Sequence, residues 1–180
     1  FKPLKTTIER YADVFRALGF ELSLSAPHFP QPLPLSQSLK THLGSASRPF
    51  IGIAPFAAYT SKMYPIQQMK EVISKLSNTY SVLLFGSGAY EIKIIEAIVR
   101  QFPNVKSVAG VYSMQEELTL MSHLKVMLAM DSGNAHMAAM MGINVITLWG
   151  VTHPYAGFVP FNQPSENCLL ADRKKYPKIS

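Results

Sequence analysis

The sequence predicts an α/β protein built on a Rossmann-like, doubly wound parallel sheet, and three observations predict it. Short apolar runs alternate with amphipathic stretches from about residue 50 onward. The apolar runs are nearly continuous, as strands covered by helices on both faces require. The composition is globular: 48% of the 180 residues are hydrophobic and 16% are charged, enough to bury a sizeable core.

The elements follow in order. Residues 3–18 read as a helix, with Ile8, Tyr11, Phe15 and Leu18 on one face and Gly19 as its stop. SAPHFPQPLPLSQ is dense in proline and reads as an extended connector. The change of texture near residue 45 is the expected boundary between this connector and the sheet domain. FIGIA (50–54) is the first strand. A helix over 65–78 turns Ile66, Met69, Val72, Ile73 and Leu76 inward, with Pro65 suited to its first turn. SVLLFG (81–86) is a strand, followed by a helix over 89–102. VKSVA (105–109) is a short strand. Ser113 and Glu116 form a capping-box pattern that opens the next helix. VMLAM (126–130), a short helix over 134–141, and NVITLW (144–149) continue the alternation, and NCLL (167–170) reads as a last strand. No internal repeat interrupts it.

Bulk properties narrow the partners. The net charge of +6 points to something anionic: a phosphate-bearing ligand, a membrane face or nucleic acid. No block of like charge and no basic–aromatic interleaving supports nucleic acid. The single cysteine excludes a disulfide framework within the chain and suits a reducing compartment. No acid or histidine spacing suggests a bound metal. The chain opens FKPLKTT, without an initiator methionine, and closes KKYPKIS, so a fragment of a longer protein is expected.

In a doubly wound sheet, ligands bind beyond the carboxyl ends of the strands where the strand order reverses. With the common order, that point lies between FIGIA and VMLAM. The loops that follow them, PFAAYTSK (55–62) and DSGNAH (131–136), are rich in small and polar residues. A turn made of Ser132, Gly133 and Asn134 that enters a helix aims backbone N–H groups and the helix dipole outward, an anion site suited to phosphate. Ser132 is also placed to cap that helix, and the two roles are compatible. Lys62 either reaches a phosphate at the same point or is a solvated surface cation. Glu91, just beyond the second strand, suits either a ribose hydroxyl or the first turn of its own helix. His136 lies one turn from the anion site. His153 follows the fifth strand on the same sheet edge, and Trp149 either walls the site or packs.

These residues carry a resemblance. D-S-G-N-A-H-M-A-A-M-M-G followed by V-I-T-L-W-G-V-T-H-P resembles the signature of the bacterial heptosyltransferases, glycosyltransferase family 9. P-F-A-A-Y-T-S-K-M-Y-P and L-L-F-G-S-G-A-Y-E resemble two further elements of that family, in order and at fitting spacings over roughly residues 50–160. Val151 and Asn144 stand where the family usually has proline. The resemblance implies the C-terminal half of a GT-B fold: residues 1–45 as linker helix and connector, and 46–180 as the nucleotide-sugar-binding domain. It implies an inverting transfer with no cofactor and no metal, from ADP-heptose or a similar donor to a lipid-linked or glycan acceptor in lipopolysaccharide or cell-surface glycan assembly. Lys62 would hold the diphosphate and Glu91 the ribose. Asp131, Ser132, Gly133, Asn134 and His136 would meet the diphosphate and sugar, with Thr152 and His153 on the sugar or acceptor side. The catalytic base is expected in a missing N-terminal domain, so the fragment alone would be inactive. A cytoplasmic location is implied, with peripheral association at the inner membrane left open. Two alternatives stand beside it. One is a nucleotide-binding module without catalysis. The other is a nicotinamide-dependent dehydrogenase, against which the missing three-glycine turn after FIGIA argues.

Overall fold

The structure, a computed structural model, describes residues 2–44, 48–172 and 174–175. The boundary expected near residue 45 falls on 45–47 and lies outside the described residues. Six parallel strands form one sheet: β1 (Phe50–Ala54), β2 (Ser81–Leu84), β3 (Val105–Ser107), β4 (Met127–Met130), β5 (Val145–Trp149) and β6 (Cys168–Leu170). Their spatial order is β3-β2-β1-β4-β5-β6. The order reverses between β1 and β4, which pair with Gly52 beside Met127 and Ala54 beside Ala129. This is the doubly wound arrangement, and every strand ends at the same edge of the sheet.

Strand residues alternate between two cores. Ile51 and Ile53 of β1 face one side, together with Met69 and Ile73 of α3 (Ile66–Ser77) and Ile95 and Ile98 of α4 (Gly88–Val99). Ala54 faces the other side, against Leu120 and Met121 of α5 (Met114–Met121) and Ala135, Ala138 and Ala139 of α6 (Gly133–Met140). Each fully buried Ile, Leu or Met contributes roughly 1.5–3 kcal/mol, and the two layers together fix the register of the sheet edge. The capping box of α5 forms as its sequence requires: Glu116 N donates to Ser113 Oγ, and Ser113 N donates to Glu116 Oε2 at 2.9 Å.

Element ends shift by a few residues from the sequence reading in several places, and three differences bear on the packing. The first helix, α1 (Thr7–Ala17), begins later than expected, because Thr6 caps it. The backbone leading into its first residue is tied elsewhere, with Leu4 N donating to Tyr155 O at 2.9 Å and Thr7 N to Gly157 O at 2.8 Å. Pro65 sits just outside α3, at its N-cap position. The connector also contains a helix that its prolines obscured, α2 (Gln37–Leu43), capped by Ser36 and stopped by Gly44 at φ 68°. Its Leu39 and Leu43, one turn apart, are buried in the same core as α5 and α6.

Candidate functional site

Two loops meet where the strand order reverses. β1 runs into residues 55–59 and then a single 3-10 turn, Thr60–Lys62. β4 runs into Asp131 and Ser132, and α6 begins at Gly133. Asp131 is buried, and its Oδ2 accepts two hydrogen bonds: one from Lys62 Nζ at 2.8 Å and one from Thr152 Oγ1 at 2.8 Å. The side chains of Lys62 and Asp131 are 22% and 6% exposed, so the pair is largely withdrawn from water. A buried carboxylate needs such donors, because an ion taken out of water without partners is strongly disfavoured. The charged donor comes from β1's loop and the neutral one from β5's loop.

Ser132 occupies the N-cap position of α6, but its hydroxyl accepts no helix N–H. The expected side-chain cap is therefore absent. Ser132 Oγ is buried and has no hydrogen-bond partner among the described residues. A hydroxyl left unpaired at the positive end of a helix dipole is placed to donate to an anion. At Gly133, an added Cβ would meet nothing within 4 Å. Neither packing nor a left-handed φ calls for glycine there, so the bare backbone is open to whatever approaches. Asn134 is half-buried in the first turn.

His136 stands one turn further on, its side chain exposed at the helix edge. Surrounding protein still lowers its pKa below the ordinary histidine value through desolvation. The negative charge of Asp131 opposes that shift and the positive charge of Lys62 adds to it.

Glu91 lies in the first turn of α4, and its Oε2 accepts from Ser87 N at 2.8 Å. That bond serves the helix start. The second oxygen makes no hydrogen bond among the described residues, so the carboxylate keeps an acceptor at the sheet edge. An added Cβ at Gly86 would lie 3.0 Å from Glu91 Oε2 and 3.4 Å from Phe56, which places β1's loop against β2's. His153 is turned to its own loop: Nδ1 accepts from Tyr155 N at 3.1 Å, and the ring packs edge-on against Tyr155. Of the residues read from the sequence, the structure joins Lys62, Asp131 and Thr152 by hydrogen bonds. Ser132, Gly133, Asn134 and His136 follow on the same turn. Glu91 and His153 sit on neighbouring loops without bonding to that cluster.

A cleft of about 640 Å³ adjoins the site and shares the Lys62 turn with it, lined by Lys62, Tyr64, Gln68, Trp149, Leu169 and Leu170 among others. Trp149 is buried and its Nε1 has no partner among the described residues. Asp131 and His136 do not line this cleft. The convergence of charge lies at the strand reversal, so the site is placed there. Sequence reading missed the contact between β5's loop and the Lys62 turn. Its one signal was a glycine directly after a strand.

Fold and site together define the Rossmann-like class of α/β proteins, whose ligands sit at the reversal of strand order. The chain belongs to glycosyltransferase family 9 (heptosyltransferase), whose model matches residues 2–180. It is 28% identical over 165 aligned residues to lipopolysaccharide heptosyltransferase 2 of Salmonella typhimurium, covering 82% of this chain and 46% of that relative. The fold is shared with E. coli heptosyltransferase WaaC, solved with ADP, at a TM-score of 0.65, 18% identity, 91% of this chain and 49% of that one. A family 9 glycosyl transferase from Veillonella parvula superposes at a TM-score of 0.73, with 17% identity, over 93% of this chain and 49% of that one. The chain thus spans about half the length of the relatives it matches.

Proposed function

We propose that this chain binds the nucleotide-sugar donor of a glycosyl transfer, ADP-heptose or a close analogue, and serves as the donor half of an inverting transferase in lipopolysaccharide assembly. One observation carries the reading: a lysine, a buried carboxylate and an unpaired buried serine hydroxyl converge on a helix N-terminus where the strand order reverses. Supporting it are a relative named as a lipopolysaccharide heptosyltransferase and a neighbour solved with ADP.

In this reading the diphosphate lies over the first turn of α6, met by its backbone N–H groups, Ser132 Oγ and Lys62. Glu91 takes a ribose hydroxyl. The sugar lies toward Asp131 and His136, with Thr152 and His153 on the rim. An acceptor hydroxyl attacks the anomeric carbon as the bond to the diphosphate oxygen breaks, and a base takes the hydroxyl proton. Negative charge grows on the leaving diphosphate, where the lysine and the helix dipole stabilise it. The base and most of the acceptor site come from the part of the relatives' length that this chain does not match, and the assembled enzyme works in the cytoplasm.

The test is ADP binding by the 180-residue chain, followed by thermal unfolding and calorimetry. At about 100 times Kd, ADP should add about 2.7 kcal/mol, a rise in Tm of roughly 5–10 °C. Sugar transfer to any acceptor should stay at background. No stabilisation by any nucleoside diphosphate would defeat the reading.

A further inference from the structure

The segment Gly150–Thr152 carries no ligand role in the reading above beyond a place for Thr152 on the rim, yet it touches both the Lys62 turn and the carboxylate that Lys62 pairs with. At the backbone, Val151 N donates to Ser61 O at 3.0 Å. The approach is so close that a Cβ added at Gly150 would lie 2.4 Å from Ser61 O, 3.0 Å from Lys62 Cα and 3.1 Å from Lys62 C. All three are backbone atoms, which cannot swing aside as a side-chain tip can. At the side chain, Thr152 Oγ1 donates to Asp131 Oδ2, the oxygen that also accepts from Lys62 Nζ. The root and the tip of one flexible lysine are therefore both referred to β5's loop. A lysine ammonium is a mobile point charge on a four-carbon stem, and its value at a phosphate depends on where it is held.

We infer that Gly150 and Thr152 are positioning residues for Lys62: Gly150 admits its turn against the loop, and Thr152 fixes the carboxylate on which its ammonium rests. The inference rests on the donor-binding reading of the site. It moves Thr152 from a sugar contact to a residue that acts through Asp131.

A double-mutant cycle tests it, with ADP and inorganic pyrophosphate as ligands and the 180-residue chain as protein. Thr152→Val should weaken both ligands about tenfold, the worth of one hydrogen bond to a charged group. Thr152→Ser should recover most of that loss, because it keeps the donor. In a Lys62→Ala background, Thr152→Val should change either affinity by less than about twofold, since coupled residues do not add. Gly150→Ala should behave like Thr152→Val, and the threonine arm stands alone if the alanine variant does not fold. The inference is overturned if Thr152→Val binds both ligands as the wild type does. It is overturned equally if the Thr152 and Lys62 losses multiply, because Thr152 would then act independently of the lysine. A wild-type chain that binds neither ligand defeats the donor-site reading itself, and the inference with it.

Discussion

Lys62→Ala separates the two roles of the lysine most directly. The substitution removes an ammonium 2.8 Å from Asp131 Oδ2 and leaves that carboxylate with the Thr152 hydroxyl as its donor at that oxygen. Removing one partner of a fully buried pair costs about 3–5 kcal/mol. Here the lysine side chain is 22% exposed, so water can replace part of what is lost. A charge-assisted bond at such a place is worth about 1.5–3 kcal/mol. Taking about 2 kcal/mol, Tm should fall by about 4–8 °C for a domain of this size. ADP affinity should fall independently, because in the proposed reading the same cation meets the diphosphate. The same range corresponds to a rise in Kd of roughly 10- to 150-fold. Calorimetry well below Tm isolates the second effect from the first, and thermal unfolding without ligand reads the first. Lys62→Arg should recover part of both by keeping the charge. An unchanged Kd at low salt would return Lys62 to a structural partner of Asp131. An unchanged Tm would mean that the pair is worth no more than its hydrated parts.

Ser132→Ala should leave thermal stability within about 0.5 kcal/mol, because the hydroxyl accepts no helix N–H, while ADP binding weakens; a loss of 1 kcal/mol or more would reinstate the cap. Gly133→Ala should leave stability equal or raise it by up to about 1 kcal/mol, since the new methyl meets nothing within 4 Å, yet it should impair ADP binding; equal affinity would show that no ligand approaches that backbone. Glu91→Gln should hurt ADP more than pyrophosphate, and equal losses in calorimetry would leave Glu91 as a helix-start residue. His136, with its folded pKa lowered, binds fewer protons folded than unfolded near pH 6. Its contribution to stability is therefore fully present above the unfolded value of about 6.5 and is lost as pH falls through the lowered folded value. His136→Gln should flatten that slope. ADP should raise the His136 pKa by bringing negative charge near the ring, which an NMR titration of the imidazole protons reads directly.

How much of this was legible beforehand depends on the range of each interaction. Strands β1, β4 and β5 were readable because their apolar runs are local, and the capping box of Ser113 and Glu116 was readable because both halves lie within one turn. The order of the strands was taken as the common doubly wound one, since crossovers leave few arrangements open, and the structure has that order. That order brought Lys62 and Asp131 to one place, although 69 positions separate them. Helix α2 was missed because its signal, a serine cap and two leucines four apart, is short and follows a run of prolines. Burial of Leu39 and Leu43 against the sheet stabilises it, not propensity.

The sequence by itself determined the fold class, the family resemblance and the loops that meet where the strand order reverses, because periodicity and turn chemistry are written along the chain. The tertiary structure alone decided what each polar group does there. Ser132 has the residue type and position of a cap, but its hydroxyl is left unpaired. Glu91 gives one oxygen to the backbone of Ser87 and keeps the other. Thr152 and Lys62 share a single carboxylate oxygen across three loops. A hydrogen bond depends on distances of a few tenths of an ångström and on angles, and those are fixed only when two packed layers set the strand ends against one another.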